Sequence, residues 1–113
     1  MRHVLFYETA ESGLAKAPEN FPAHQERFMR YAADGTLVGI GTFGDPQSEG
    51  AMAIFTTGEA AEDFARDDPF VVNGVVGNWY VREWDDVLSS DTRVFGSQRW
   101  NRRAAGRRSI FPL

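Results

Sequence analysis

The sequence predicts an α+β fold in which two helices cover one face of a four-stranded antiparallel sheet, the split βαβ arrangement. The 113 residues are enough for one domain with its own core. Hydrophobic periodicity changes along the chain in the order strand, helix, strand, strand, helix, strand. Asp68-Pro69 separates the second helix from the last strand, because proline lacks a backbone donor and disfavours helical geometry in the residue before it.

The first strand and the first helix have clear signals. Residues 2–8 alternate as a strand with two mostly apolar faces, Val4 and Phe6 on one and His3, Leu5 and Tyr7 on the other. Asn20 is a predicted N-cap, and Pro22 suits the first turn of the helix that follows. Asp34-Gly35 ends this helix, and its apolar stripe consists of Phe21, His24, Phe28 and Tyr31.

The middle of the chain predicts two strands joined by a turn. Residues 37–43 are β-like but contain Gly39 and Gly41, which indicate a bulge or a close approach to the backbone. Residues 45–50 form the turn, and residues 51–55 are a short apolar run typical of a buried strand.

The second helix and the last strand complete the pattern. Thr56 and Glu59 have the spacing of a capping box, and the inner face of the helix is Ala60, Ala61, Phe64 and Ala65. Residues 75–84 are the longest strand candidate, in which Trp79 and Val81 alternate with Tyr80, Arg82 and Trp84.

Two helices can cover only one side of such a sheet. The other side would expose Leu5, Tyr7 and Trp84, or the residues that alternate with them. This is more apolar surface than a monomer in water usually exposes. We therefore expect a homodimer in which two sheets pack face to face.

Charge divides the chain into two regions. Residues 1–88 carry six basic and fifteen acidic residues, a net charge of −9, whereas residues 89–113 carry six arginines and one aspartate, a net of +5. We expect a domain over residues 1–88 and a basic C-terminal extension over residues 89–113. The extension either packs on the body or on a partner subunit, or it binds an anionic partner. The acidic body disfavours nucleic acid as that partner, although the extension mixes arginine with Phe95 and Trp100.

Several functional classes are excluded by composition. The absence of cysteine removes disulfides, thiolate nucleophiles and sulfur metal sites. The two histidines lie on separate elements without clustered ligand spacing, so no metal is expected, and nothing in the sequence requires an organic cofactor. No apolar run is long enough for a membrane span, and the start does not have the pattern of a signal peptide. The expected compartment is the cytoplasm.

His24 and Asp68 are the candidate catalytic residues. An aspartate that accepts a hydrogen bond from one ring nitrogen of a histidine leaves the other nitrogen as a base. The alternative is a histidine packed in the core and an aspartate that caps local amides, which the residues alone favour. Candidate pocket residues are His3, Tyr7, Gly41 and Trp84, each of which also fits a core, bulge or interface position.

Two motifs resemble those of the YciI-like family. Asp68-Pro69-Phe70 in the segment 64–75 is similar to the family's Asp-Pro-aromatic signature, and Pro22-Ala23-His24 is similar to its histidine position. The resemblance extends over residues 1 to about 86. It implies ferredoxin-like βαββαβ subunits that form a dimeric α+β barrel, with sites similar to those of muconolactone isomerases. It also implies a dyad of His24 and Asp68. The segment beyond Leu88 departs from simpler family members.

The resemblance favours a small enzyme of the lyase, dehydrochlorinase or isomerase type, since one family relative is a dehydrochlorinase acting on a chlorinated hydroquinone-type ring. His24 would be the general acid or base and Asp68 would orient it. The substrate would be a small cyclic or enolisable organic acid or a hydroxylated ring. The alternative is a non-catalytic ligand-binding or accessory homodimer with the same fold. Neither the identity of the substrate nor the direction of proton transfer follows from the sequence.

Overall fold

A computed structural model describes residues 1–88 and has the predicted α+β architecture. Its four strands form one antiparallel sheet in the order β2-β3-β1-β4. The elements are β1 Arg2–Thr9, a 3-10 helix Gly13–Lys16, α1 Ala17–Ala33, β2 Leu37–Thr42, α2 Pro46–Glu49, β3 Ala51–Phe55, α3 Gly58–Asp67, α4 Pro69–Val72 and β4 Val76–Trp84. The basic extension over residues 89–113 lies outside the described residues. No helix within residues 1–88 is long and apolar enough to cross a membrane.

The first helix begins earlier than the sequence predicts. Pro18, rather than Pro22, occupies the first turn of α1, and Pro22 lies inside the helix. Asn20 is therefore not the N-cap. Its side-chain nitrogen donates to the backbone carbonyl of Lys16 at 2.9 Å. Its side-chain oxygen accepts from the side-chain amide of Asn73 at 2.7 Å, and this second bond joins α1 to the residue after α4.

The chain between β3 and β4 forms two helices instead of one. The N-cap of α3 is Thr57 rather than Thr56, and its hydroxyl accepts from the backbone N–H of Ala60 at 3.1 Å. Asp68 has extended geometry (φ −67°, ψ 129°), as expected before proline. Pro69 then begins the single-turn helix α4, which places the apolar residues after it on a helical turn rather than on an extended segment.

One face of the sheet packs against the helices. Leu5 and Tyr7 of β1 lie in the core together with Phe55 of β3 and Phe64 of α3. The register pairs Leu5 with Ala53 on one side and with Val81 on the other, so these residues share the covered face. Residue 38 forms a bulge, because the pairing of β2 with β3 shifts between residues 37 and 39.

The opposite face of the sheet carries partly exposed apolar side chains among the described residues. It carries Phe6, whose ring stacks on that of Tyr80 with 5.2 Å between centroids. Trp84 is 46% exposed on this face and borders a groove with Val4, Phe6 and Met52. Leu5 and Tyr7 thus face the helices, and the residues that alternate with them, together with Trp84, form the open face.

Candidate active site

Asp68 is held at the junction between two helices. Its side chain accepts from the backbone N–H of Phe70 at 3.2 Å and caps α4. The residue is fully buried, with 0% of its surface exposed. A buried carboxylate needs hydrogen-bond donors, and a single backbone N–H leaves most of its acceptor capacity unfilled. The remaining donors come from other elements of the fold.

His24 of α1 supplies the second donor. Its Nδ1 lies 2.8 Å from Oδ1 and 3.1 Å from Oδ2 of Asp68. An ionised carboxylate can only accept, so we assign the proton of this contact to Nδ1. In the neutral ring this leaves Nε2 with a free lone pair. Within residues 1–88, Nε2 has no hydrogen-bond partner.

The imidazole ring of His24 is fixed by aromatic contacts. It stacks on Phe70 with 3.8 Å between centroids and an angle of 6° between the planes. Phe28, one turn further along α1, meets the ring edge-on at 5.1 Å. Because Phe70 follows the Asp68-Pro69 break, the same turn supplies both the carboxylate that binds His24 and the aromatic ring that stacks on it. The orientation of the imidazole is therefore set by side chains as well as by its hydrogen bond.

Tyr7 of β1 supplies the third donor. Its hydroxyl donates to Oδ2 of Asp68 at 2.5 Å, a contact between residues 61 positions apart in the chain. The pKa of Tyr7 is raised above its ordinary value, mainly because burial disfavours the charged phenolate. The negative charge of Asp68 and the hydrogen bond to it act in the same direction, and Arg27 opposes them. Tyr7 is thus a neutral donor at physiological pH.

His24 borders a cavity between α1 and the covered face of the sheet. The cavity has a volume of about 290 Å³, and α3 and α4 each contribute one phenylalanine to its wall. Most of the lining is apolar, and the polar side chains in it are Tyr7, His24 and Thr42. The full lining is Leu5, Tyr7, Phe21, His24, Phe28, Ile40, Gly41, Thr42, Ala51, Met52, Ala53, Phe64 and Phe70.

The candidate pocket residues fall into two groups. Tyr7 and Gly41 line the cavity beside His24. The register pairs Gly41 with Met52, so a Cβ on Gly41 would point to the opposite face of the sheet, where no described atom lies within 4 Å of its position. His3 lies beside Gly58 at the start of α3, and Trp84 lies on the open face of the sheet. Neither of these two side chains lines the cavity.

Sequence reasoning missed two contributors to the site. Phe70 appeared only as part of the Asp68-Pro69-Phe70 motif, and its stacking on His24 depends on the helical turn of α4. Thr42 is the last residue of β2, and only the register of the sheet places it on the cavity wall. The glycines of this segment indicated a bulge but not its position, and the face on which Thr42 lies depends on that position.

Residues 1–88 contain no group of three or more His, Cys, Asp or Glu side chains that could hold a metal ion. The described part of the site is therefore built from one imidazole, one carboxylate and one phenol. Such a set can accept, hold and donate a proton.

Comparison with known proteins identifies the family of this chain and a solved structure with the same fold. None of the curated proteins matches this chain. Among solved structures, the chain is similar to 5-chloro-2-hydroxyhydroquinone dehydrochlorinase from Burkholderia phenoliruptrix AC1100 in complex with 2,5-dihydroxybenzoquinone. The TM-score is 0.57 and the sequence identity is 20%. The match covers 75% of this chain and 94% of that chain. At this identity the likeness shows a shared fold. The model of the YCII-related domain matches residues 1–85, and the chain belongs to this family.

Proposed function

We propose that this protein is a small enzyme that uses His24 and Asp68 for general acid/base chemistry on a small organic ring or enolisable acid. The observation that carries the proposal is the 2.8 Å contact between Nδ1 of His24 and Asp68, on the wall of a cavity. A base needs both a free lone pair and access to its substrate. The fold shared with a dehydrochlorinase that binds a dihydroxybenzoquinone is consistent with a substrate of one ring.

The dyad would act as follows. Nε2 of His24 takes a proton from a carbon next to a carbonyl group or from a ring hydroxyl. The electron pair left behind either moves within the ring, so that the proton returns to another atom, or expels a leaving group such as chloride. The first course is an isomerisation and the second an elimination. Asp68 stabilises the imidazolium formed in between, and its contacts with Tyr7 and with the N–H of Phe70 hold the carboxylate in place.

The test is turnover of hydroxylated and halogenated ring compounds by the full-length protein. We expect His24→Ala to lower kcat by a factor of about 10² to 10⁴, the usual contribution of a positioned acid or base. His3→Ala is the matched control, because His3 is the other histidine of the sequence and lies outside the cavity. Unchanged turnover in His24→Ala would contradict the mechanism.

The second candidate is a non-catalytic ligand-binding or accessory homodimer. One observation favours it: the three donors to Asp68 come from α1, β1 and α4, so the network would stabilise the fold even without a reaction. In that case His24→Ala would lower the melting temperature, and the wild type would turn over no compound of the panel although some of them bind.

We also propose that the protein is a homodimer joined through the open face of the sheet. Tyr80 and Trp84 are 42% and 46% exposed there, and Phe6 and Met52 extend the apolar surface between them. A second copy with the same face would cover this surface, which the helices cannot reach.

A further inference from the structure

The charge of the cavity wall beside His24 follows from the described residues that form it. Neither lysine nor arginine contributes to the wall formed by the described residues. The polar side chains of the lining are an imidazole, a phenol and the hydroxyl of Thr42. A buried carboxylate, Asp68, lies directly behind the imidazole. The local charge is therefore negative or neutral.

An arginine on the same helix as His24 is engaged elsewhere. Arg27 lies on α1, and its guanidinium donates to the carbonyls of Phe64 at 3.2 Å and of Asp63 at 2.8 Å, near the end of α3. It also lies over the rings of Tyr31 and Phe64, at 5.3 Å and 5.5 Å from their centroids. Moving this side chain into the cavity would leave those carbonyls without their donor.

We infer that the cavity selects a single uncharged ring carrying hydroxyl or carbonyl groups and excludes ring carboxylates. This inference rests on the proposed function and narrows its substrate class from acids and rings to neutral rings. A carboxylate in the cavity would lose its hydration without gaining a cation, and it would meet the negative charge of Asp68. A neutral ring would lose little, because most of the wall is apolar.

The dimensions of the cavity fit one ring. Its volume of about 290 Å³ is at the lower end of the range for ligand sites, and a dry cavity of about 150 Å³ is enough for benzene. Phe21, Phe28 and Phe70 supply flat apolar surfaces around His24. Aromatic walls of this kind favour a planar ligand.

Two polar groups are available to orient such a ring. They are Nε2 of His24 and the hydroxyl of Thr42, which belong to residues that line the cavity from α1 and from β2. Neither forms a hydrogen bond with another residue in the part of the chain that the structure describes. A hydroxyl or carbonyl group on the ring can use each of them singly, whereas a carboxylate calls for several donors or for a bidentate cation.

The test is equilibrium binding of benzamide and benzoate to the full-length protein by calorimetry. These two rings have nearly the same shape and differ in charge. We expect benzamide to bind at least about tenfold more tightly than benzoate, because only benzoate brings an unpaired charge into the cavity. Hydroquinone should also bind more tightly than benzoate. Benzoate binding as tightly as benzamide, or binding of neither ring, would overturn the inference.

A variant with an added cation provides the matched control. Thr42 is exposed at the end of its strand, so Thr42→Lys is expected to fold, which circular dichroism would verify. The new ammonium group should reverse the preference in favour of benzoate. An unchanged preference in the folded variant would show that charge in the cavity does not decide selection, and it would also overturn the inference.

Binding also separates this inference from the proposed function. If neutral rings bind preferentially but none is turned over, the catalytic proposal fails and the charge selection stands. If the protein turns over a ring carboxylate through His24, the charge selection fails and the dyad chemistry stands.

Discussion

The hydroxyl of Tyr7 donates to Oδ2 of Asp68 at 2.5 Å, which connects the first strand of the sheet to the break between α3 and α4. Together with His24 and the backbone N–H of Phe70, it gives the buried carboxylate three donors. The carboxylate is thereby held by contacts from three separate parts of the chain. The carboxylate therefore links the strand, the first helix and the turn that begins α4.

Removal of the phenol hydroxyl should destabilise the protein. We expect Tyr7→Phe to lower the free energy of unfolding by about 1–3 kcal/mol, because a buried carboxylate loses one of its donors. Urea denaturation measures this change. Tyr80→Phe is the matched control, since the ring of Tyr80 lies on the open face. Equal losses in the two variants would contradict the role of the contact with Asp68.

The stability of the wild type should fall at alkaline pH. Burial and Asp68 raise the pKa of Tyr7 above 10.0, its ordinary value, so the contribution of Tyr7 is fully present below about pH 10. Above that pH the unfolded chain loses a proton that the folded chain keeps. Each further pH unit therefore removes about 1.4 kcal/mol until the folded pKa is reached.

Comparison of wild type with Tyr7→Phe between about pH 8 and pH 11 tests this linkage. Tyr31 and Tyr80 are present in both proteins, so their titration cancels in the difference. The stability advantage of the wild type should shrink above about pH 10. An advantage that stays constant over the range would contradict a raised pKa for Tyr7.

Replacing the carboxylate of Asp68 by neutral side chains should affect stability and catalysis differently. Asp68→Asn keeps an acceptor for the N–H of Phe70 and nearly the same volume, whereas Asp68→Ala loses both. We expect Asn to be the less destabilising of the two in thermal unfolding. Both variants should lower kcat by about 10²-fold or more, because neither stabilises an imidazolium at His24. Retention of wild-type kcat in Asp68→Asn would contradict the role of the charge.

The N-cap of α3 is Thr57 in the structure, whereas the sequence predicted Thr56, and substitution of each threonine tests which of them caps the helix. Thr57→Ala should cost about 1 kcal/mol of stability, because Ala60 loses the side-chain acceptor for its N–H. Thr56→Ala should cost less, since the hydroxyl of Thr56 does not cap the helix. Chemical denaturation of both variants measures the difference, and the reverse order would restore the cap predicted from sequence.

The proposed homodimer predicts a solution mass of twice the 12.7 kDa of one chain. Trp84→Glu should shift the protein towards the monomer, because it places a charge on the apolar open face. Glu59→Gln, on the exposed side of α3, is a control that should leave the mass unchanged. Sedimentation equilibrium at micromolar concentration makes both measurements. A wild-type mass of one chain would contradict the dimer.

The sequence predicted the order of the elements because strand and helix periodicities differ clearly in this chain. It also predicted the family, and the resemblance to that family implied the pairing of His24 with Asp68. The local errors have physical causes. Pro18 and Pro22 both suit a first helical turn, and Thr56 and Thr57 are equally suitable caps by residue type.

The rest of the site depends on contacts that no local pattern contains. Tyr7 approaches Asp68 only through the register of β1 and the packing of α3 on the sheet. The stacking of Phe70 on His24 requires the single helical turn of α4, which is too short to show periodicity. Which face of β1 turns towards the helices was also undetermined, because both faces are apolar.

The central claim is that Nδ1 of His24 carries the proton of the contact with Asp68 and leaves Nε2 as the base. The most direct test is the tautomer of His24. The nitrogen chemical shifts of the imidazole report it by NMR at a pH where the ring is neutral. The sequence has only one other histidine, so His3→Gln leaves a single imidazole to observe. We expect the proton on Nδ1 and the lone pair on Nε2 in the wild-type pair, and a loss of this preference in Asp68→Asn. A proton on Nε2 in the presence of Asp68 would contradict the assignment of His24 as a base facing the cavity.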